Sequence, residues 1–389
     1  MEKSVLYLIG IIIFNTASCY AHPITPTYFQ LLNFRDGMFG YAYAAMALGM
    51  FLSSPFWGKI TARINSRTAM ALGSVGYGIG QMMMALGRTE GMVLAARFTA
   101  GISCGGFFVG SLTYIVHMSR GSEKGHYLTL NATVQTVATA LGYFIGGMLG
   151  EVNLYFCFAI QIASLLLCGL MFMRLPEDAT DKDLPLGQVL KDSNPFAAFM
   201  SVKTFMSLPL LILYIMAMSV FLGFTAVDQS FNYYLKDVFE LTSSYNGIIR
   251  AAVGLISFAM NMVLGMRIMK NHHQKPANTL LIILAGCTLT LAIMMKLPLA
   301  FILLIVVFNG IYAVIVPIEQ DMITTFASKD RQNEVLGFYQ TSKSMGLILG
   351  AFLSGALYDV RPVFAFILGV CGFVLALTMD VLKRGMRNE

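Results

Sequence analysis

Charge is scarce in this chain. Asp, Glu, Lys and Arg make up 12% of its 389 residues, against roughly 25% in a soluble globular domain, which excludes water as the solvent for most of its surface. Polar stretches are scarce as well. The only one of any length runs from Pro176 to Lys203 and carries Glu177, Asp178, Asp181, Asp183 and Asp192, too short for a soluble output domain. Cysteine pairing is absent: the six cysteines (Cys19, Cys104, Cys157, Cys168, Cys287 and Cys371) fall inside apolar segments with no C-x-x-C spacing. They read as small core residues and not as a disulfide or metal framework. The formal net charge of +6 would hint at nucleic acid in a soluble protein. Here it needs only the Lys and Arg excess of loops on the cytoplasmic side, so no nucleic-acid partner is expected.

What the chain has in abundance is apolar length. Hydrophobic residues make up 57% of it, and runs long enough to cross a bilayer, about 20 residues each, recur from end to end. Twelve are expected, near 4–30, 38–57, 68–87, 91–118, 126–150, 153–174, 206–235, 244–266, 277–296, 299–326, 333–357 and 362–382. The N-terminal run after Lys3 passes Ser18-Cys19-Tyr20-Ala21 as a secretory signal would, but it is expected to continue as helix beyond Ala21. The fold class is therefore an all-α membrane protein of twelve transmembrane helices. Residues 1–175 and 204–389 are expected as two six-helix bundles, with 176–203 as a cytoplasmic linker.

Orientation follows from basic residues once loops alternate between sides. One side holds only Arg35, Arg88, Lys236, Lys296 and Arg361. The side of both termini holds Lys3, Lys59, Arg63, Arg67, Arg120, Lys124, Arg174, Lys182, Lys191, Lys203, Arg267, Lys270, Lys275, Lys329, Arg331, Lys383, Arg384 and Arg387. By the positive-inside rule both termini are expected in the cytoplasm.

The halves also repeat each other. Leu141-Gly142-Tyr143-Phe144-Ile145-Gly146-Gly147-Met148-Leu149-Gly150-Glu151 aligns without a gap on Leu349-Gly350-Ala351-Phe352-Leu353-Ser354-Gly355-Ala356-Leu357-Tyr358-Asp359. In the loops after the second and eighth spans, Gly58 with Arg63 aligns in the same way on Gly265 with Lys270. Internal repeats of this kind are built into transporters. Glycines four apart, as at Gly101/Gly105, Gly106/Gly110, Gly142/Gly146 and Gly146/Gly150, let helix backbones approach closely. They make either static packing or sliding surfaces.

Four segments carry a family resemblance. His22-Pro23-Ile24-Thr25-Pro26-Thr27-Tyr28 resembles a P-x-x-P element at the outer end of the first span. Gly58-Lys59-Ile60-Thr61-Ala62-Arg63-Ile64-Asn65-Ser66-Arg67 resembles G-x-x-x-D-R-x-G-R-K, matching at Gly58, Arg63 and Arg67, with Ala62 in place of the acid and Asn65 in place of the second glycine. Arg97-Phe98-Thr99-Ala100-Gly101 resembles R-x-x-x-G, and Gly142-Tyr143-Phe144-Ile145-Gly146-Gly147 resembles G-P-x-x-G-G with Tyr143 in place of proline. Together they are similar to the major facilitator superfamily, in particular its twelve-helix drug:proton antiporter branch. The resemblance implies two pseudo-symmetric bundles, alternating access, proton coupling involving Arg97, a loop motif at Gly58, Arg63 and Arg67, and a helix-packing motif at Gly142, Gly146 and Gly147. It leaves the usual ion pair of the loop in question at Ala62.

Ionisable groups inside spans are costly enough in a membrane to be read as functional by default. Asp228, Glu319, Arg97, Arg250 and Lys343 form that set, with His22 added because its side chain titrates near neutrality. Helix rise puts Arg97, Asp228 and Arg250 in the outer half and Glu319 and Lys343 at or below the middle. Asp228 with Arg250, and Glu319 with Lys343, lie on consecutive spans at similar depth and are expected as buried pairs. Such pairs either neutralise each other structurally or exchange a proton as their surroundings alternate between wet and dry. The second role is the one adopted. Asp321 and Asp380 read as interfacial. Pro23, Pro26 and Pro317 free carbonyls that only protein or a wet cavity satisfies, so the first and tenth spans are expected near the pathway. Asn15, Tyr28, Gln135, Gln229, Asn232, Asn309, Tyr312 and Gln340 are the expected cavity lining. The 27 methionines and 29 phenylalanines could form an adaptable apolar pocket, but lipid-facing and helix-packing positions account for most of them.

Other patterns carry no chemistry. Gly101-Ile102-Ser103-Cys104-Gly105 fits G-x-S-x-G, but a nucleophile elbow needs a strand before it and this one lies within an apolar helix. Asn131-Ala132-Thr133 spells a glycosylation sequon inside a span, and His272-His273 has no further ligands. No enzyme, metal or cofactor is expected. The expectation is a monomeric, multi-pass carrier of the bacterial plasma membrane whose partners are a small molecule, protons and the lipid bilayer. It exports an amphipathic compound against proton entry; proton-coupled uptake of a polar metabolite is the alternative.

Overall fold

In the computed structural model the described residues are 2–118, 123–178, 180, 185–196, 206–271, 274–324 and 332–385. Arg120, Asp181, Lys182, Asp183, Lys203, His272-His273, Lys329, Arg331 and Arg387 lie outside them, as do the side chains of Lys3, Lys124 and Arg384.

Every regular element among the described residues is helical. The helices are α1 (Glu2–Ser18), α2 (Thr25–Leu31), α3 (Met38–Ile64), α4 (Ser66–Leu86), α5 (Glu90–Met118), α6 (Glu123–Val152), α7 (Leu154–Phe172), the short α8 (Leu186–Lys191), α9 (Leu208–Asp237), α10 (Ser243–Met260), α11 (Met266–Lys270), α12 (Gln274–Met294), α13 (Pro298–Thr324), α14 (Gln332–Tyr358) and α15 (Pro362–Gly385). A π-helical turn, Asn261–Gly265, joins α10 to α11, so the two form one span. Apart from α8, these elements fall on the twelve expected spans.

Among the described residues, nine helices are long and apolar enough to cross a bilayer by themselves. The other three spans explain their own shortfall. The first is split between α1 and α2. The other two, α3 and α14, have 27 residues each, about 40 Å at helical rise, but their apolar stretches are diluted, in α3 by Gly40, Tyr41, Tyr43, Gly49, Ser53 and Ser54 and in α14 by Gln340 and Lys343. The first span thus departs from the expected continuous helix. Pro23 and Pro26 deny main-chain N–H donors to the ladder, and the chain passes through turns over residues 19–24 before α2 begins.

The chain divides into two compact units. The first comprises Met1–Phe34, Ala45–Pro195 and Leu241–Ala251; the second comprises Arg35–Ala44, Phe196–Glu240 and Ala252–Glu389. In the first unit Phe14, Tyr77, Phe107, Leu165, Cys168 and Phe172 pack in one buried cluster. Glycines let the helices approach: a Cβ on Gly101 would overlap the carbonyl of Met46, and one on Gly106 would lie 2.6 Å from the Trp57 ring. In the second unit, side chains on Gly346 and Gly350 would meet the α9 carbonyls of Met218 and Leu222, while the hydroxyl of Tyr214 donates to the carbonyl of Val335 at 3.0 Å.

The linker is more than a polar spacer. Val189 of α8 is buried against Trp57, Ile60 and Ala69, and the segment ahead of α8 docks on the loop between α3 and α4, as described below.

Candidate functional site

In the first unit the broken span exposes carbonyls inside a membrane protein, and each is answered by a named side chain. Gln161 Nε2 donates to the Ala17 carbonyl at 2.8 Å and to that of Ser18 at 3.3 Å, the Tyr77 hydroxyl donates to Ser18 at 3.2 Å, and the Cys157 thiol donates to Tyr20 at 3.5 Å. Asn246 Nδ2 donates to Pro23 at 3.4 Å. Irregular backbone at membrane depth is tolerated only when satisfied in this way. Gly142, Gly146 and Gly150 lie along this break: side chains there would overlap the Thr16 carbonyl, the Tyr20 carbonyl and Ile24.

His22 sits in the break, half-buried, with its ring 5.5 Å from that of Tyr143. The guanidinium of Arg250 lies over the same tyrosine ring at 4.9 Å and donates from Nη2 to its hydroxyl at 3.2 Å. Tyr143, standing where the G-P-x-x-G-G pattern has proline, therefore links a first-span residue to an eighth-span residue by its ring and hydroxyl. Arg97 is 4% exposed, and its Nε has no hydrogen-bond partner among the described residues.

The loop between α3 and α4 shows how the departures from the family pattern are accommodated. Asn65 adopts φ 68° and ψ 162°, a region essentially reserved for glycine. Its side chain also accepts from Thr68 N at 3.0 Å, capping α4. The acid missing at Ala62 has a counterpart from the linker. Asp178, 8% exposed, accepts from Ser66 N at 2.8 Å and faces His117 Nδ1 at 3.1 Å. Arg67 donates to the Leu175 carbonyl at 2.7 Å and pairs with Glu177. Gly58 has open space where a Cβ would be, so close packing does not demand glycine there.

In the second unit the expected Glu319–Lys343 pair is not closed. Glu319 of α13 is 0% exposed, and neither carboxylate oxygen has a hydrogen-bond partner among the described residues. The Lys343 ammonium instead lies over the rings of Phe221 at 4.8 Å and Tyr339 at 5.4 Å. Tyr339 and Lys343 are one turn apart on α14 and share a face, and the Tyr339 hydroxyl is buried with no hydrogen-bond partner among the described residues. Asp380, expected at the interface, is shielded by protein: it is 1% exposed, accepts from the Thr279 hydroxyl and pairs with Lys383 at 3.2 Å.

Asp228, also in the second unit, is 8% exposed and accepts from Gln229 Nε2 at 3.1 Å. Arg250, its expected partner, belongs to the first unit. Tyr312 stacks on Phe224 with centroids 3.5 Å apart, Gln340 is exposed, Asn232 is half-buried, and Gln135 is half-buried on α6. Asn15 and Asn309 donate to carbonyls four residues back on their own helices, Ile11 and Ile305. Tyr28 is a strut, not a lining residue: fully buried, it donates to the Met84 carbonyl at 2.7 Å at the end of α4.

With the broken first span, the loop motif and the buried charges described, the comparisons with known proteins fall into place. The sequence model of the Major Facilitator Superfamily matches residues 6–342 and 278–385. The chain belongs to that superfamily. Within it, the chain is 22% identical over 376 residues to the quinolone resistance protein NorA of Staphylococcus aureus (strain MSSA476), spanning 91% of this chain and 90% of NorA. It is 19% identical over 372 residues to multidrug resistance protein 2 of Bacillus subtilis (strain 168), spanning 94% and 91%. Among solved superfamily structures, a mutant of the nucleoside transporter NupG superposes with a TM-score of 0.80 at 12% identity, covering 99% of this chain and all of that one. A D-xylose-proton symporter superposes with a TM-score of 0.72 at 15% identity, covering 97% and 96%. These superpositions show the shared superfamily fold. The protein is accordingly an integral, multi-pass transporter.

Proposed function

We propose that this superfamily member is a proton-coupled exporter of small amphipathic compounds, with residues 1–175 and 204–389 alternately opening one central site to each side and both termini in the cytoplasm. The observation that carries the proton coupling is Glu319. A buried carboxylate with neither oxygen hydrogen-bonded among the described residues is costly as an anion unless a counter-charge answers it. Lys343, resting on the faces of Phe221 and Tyr339, offers a counter-charge that motion of α14 brings closer or takes away. A carboxyl poised between those states can take a proton from one side and release it to the other. The two curated relatives, named for quinolone and multidrug resistance, support the direction of transport and the substrate class.

Asp228, Arg97, Arg250 and His22 are assigned to the same coupling machinery, and Asn15, Gln135, Gln229, Asn232, Asn309, Tyr312 and Gln340 remain the substrate-cavity candidates. The reading is tested in proteoliposomes holding an interior pH dye, screened with lipophilic cations, antibiotics and polar metabolites. Proton release from acidified vesicles on adding an amphipathic compound, lost in Glu319→Gln or Asp228→Asn, is the expected result. Proton movement only with polar metabolites, in the same direction as the metabolite, would replace export by uptake.

A further inference from the structure

Two carboxylates at the ends of spans do the same thing at repeat-related positions. In the first unit, Glu151 at the end of α6 accepts from the main-chain N–H of Ser244 at 3.1 Å and from its hydroxyl at 2.9 Å, at the first turn of α10. In the second unit, Asp359 just beyond α14 accepts from the main-chain N–H of Gly37 at 2.6 Å, at the start of α3, and from the hydroxyl of Tyr41 at 3.2 Å. The alignment that carries Gly147 to Gly355 carries Glu151 to Asp359, and the shift that carries Gly58 to Gly265 carries Gly37 to Ser244 and Gly40 to Gly247. Each acid and each backbone donor therefore has its repeat counterpart, and the two copies make the same contact. Beneath each cap two glycines touch. A Cβ on Gly147 would lie 2.9 Å from the Gly247 Cα, and one on Gly355 would lie 3.2 Å from the Gly40 Cα.

The caps also sit on divided helices. Arg35–Ala44 belongs to the second unit while the rest of α3 belongs to the first, and Leu241–Ala251 belongs to the first unit while the rest of α10 lies in the second. Glycine against glycine leaves no interdigitated side chain to resist separation. A carboxylate on the free N–H groups and positive dipole end of a helix supplies a directional, charge-assisted hold that breaks as a unit.

Resting on the alternating-access reading above, we propose that Glu151 and Asp359 are a matched pair of latches. Each holds the first turn of a divided helix against α6 or α14, and their release governs opening at the face opposite the termini. They position helices and do not touch substrate.

The test is a distance measurement by double electron–electron resonance between spin labels at Arg88 and Lys296, exposed positions on that face and outside the latches. It is made on the full chain in nanodiscs, with the exposed Cys287 and Cys371 replaced by serine. Glu151→Ala with Asp359→Ala is expected to raise the ratio of long to short distances by about tenfold, with each single variant giving part of that. Glu151→Gln with Asp359→Asn, which keep an acceptor oxygen without the charge and so keep the fold, are expected to fall between. An unchanged distribution in both double variants, in a protein whose wild-type distances respond to a proton gradient or to substrate, overturns the latches alone. A wild-type distribution that responds to neither overturns the alternating-access reading itself.

Discussion

Lys343 turns its ammonium to the face of Tyr339, 5.4 Å away, while the carboxylate of Glu319 has no hydrogen-bond donor among the described residues. An open pair of this kind costs more than a closed one as long as both groups are charged. It is the arrangement expected where one partner changes its charge during a cycle, and it makes Glu319 the residue on which the functional reading turns.

Because no hydrogen bond to Glu319 is lost, Glu319→Gln should leave stability nearly untouched. Thermal melting of the purified protein in detergent is expected to move by no more than the equivalent of about 1 kcal/mol. A loss of about 3 kcal/mol or more would show that the carboxylate is a structural partner.

The break in the first span depends on Gln161, which is fully buried and donates to two carbonyls. Gln161→Leu removes both donors while keeping the packing volume, and should destabilise the protein by about 1–3 kcal/mol. Melting in detergent checks this, with Gln161→Glu, which cannot donate when ionised, expected to be worse than leucine.

At Asn65 two effects oppose each other. Glycine relieves a positive φ worth about 1 kcal/mol and gives up only a few tenths of a kcal/mol of capping, so Asn65→Gly should be neutral or slightly stabilising. Asn65→Ala keeps the strain and loses the cap, for a loss of about 1–2 kcal/mol. The order glycine above alanine in melting temperature is the checkable outcome; the reverse order contradicts the assigned backbone role.

Asp178 is buried on the first N–H of α4, so Asp178→Ala should cost about 1–3 kcal/mol. His117→Ala, removing a side chain 45% exposed, should cost about 0.5 kcal/mol or less. Limited proteolysis of the linker reads the same contact: Asp178→Ala is expected to speed cleavage between α7 and α9, and unchanged cleavage would mean that Val189 alone docks the segment.

Much of this was legible in the sequence, for a physical reason. A bilayer demands apolar runs of a set length, so the helices of α3 to α7 and α9 to α15 follow from composition and spacing. Gly142, Gly146 and Gly150 stood out because their four-residue spacing lets backbones approach closely, whereas Gly147 stood out only through the resemblance to G-P-x-x-G-G. The break at residues 19–24 was signalled by Pro23 and Pro26, but prolines bend helices as often as they interrupt them, and only the donors from Gln161, Tyr77, Cys157 and Asn246 decide between the two. The site was less legible. Asp178 looked like one of several linker acids, since its burial comes from the folding of 175–178 back onto Ser66 and His117, a contact distant in sequence. Asp380 looked interfacial because position along a helix gives depth but not the neighbours Thr279 and Lys383. Tyr28, a polar aromatic in the first span, fitted a cavity equally well until its hydroxyl was seen on the carbonyl of Met84.

The measurement that tests the central claim most directly compares two transport modes of Glu319→Gln in proteoliposomes, using a substrate identified with the wild-type protein. Exchange of labelled for unlabelled substrate needs the helices to move but no net proton transfer, whereas accumulation against a gradient needs both. The account predicts exchange within a few-fold of wild type and loss of proton-driven accumulation. Proton-driven accumulation at the wild-type level would remove Glu319 from the coupling mechanism.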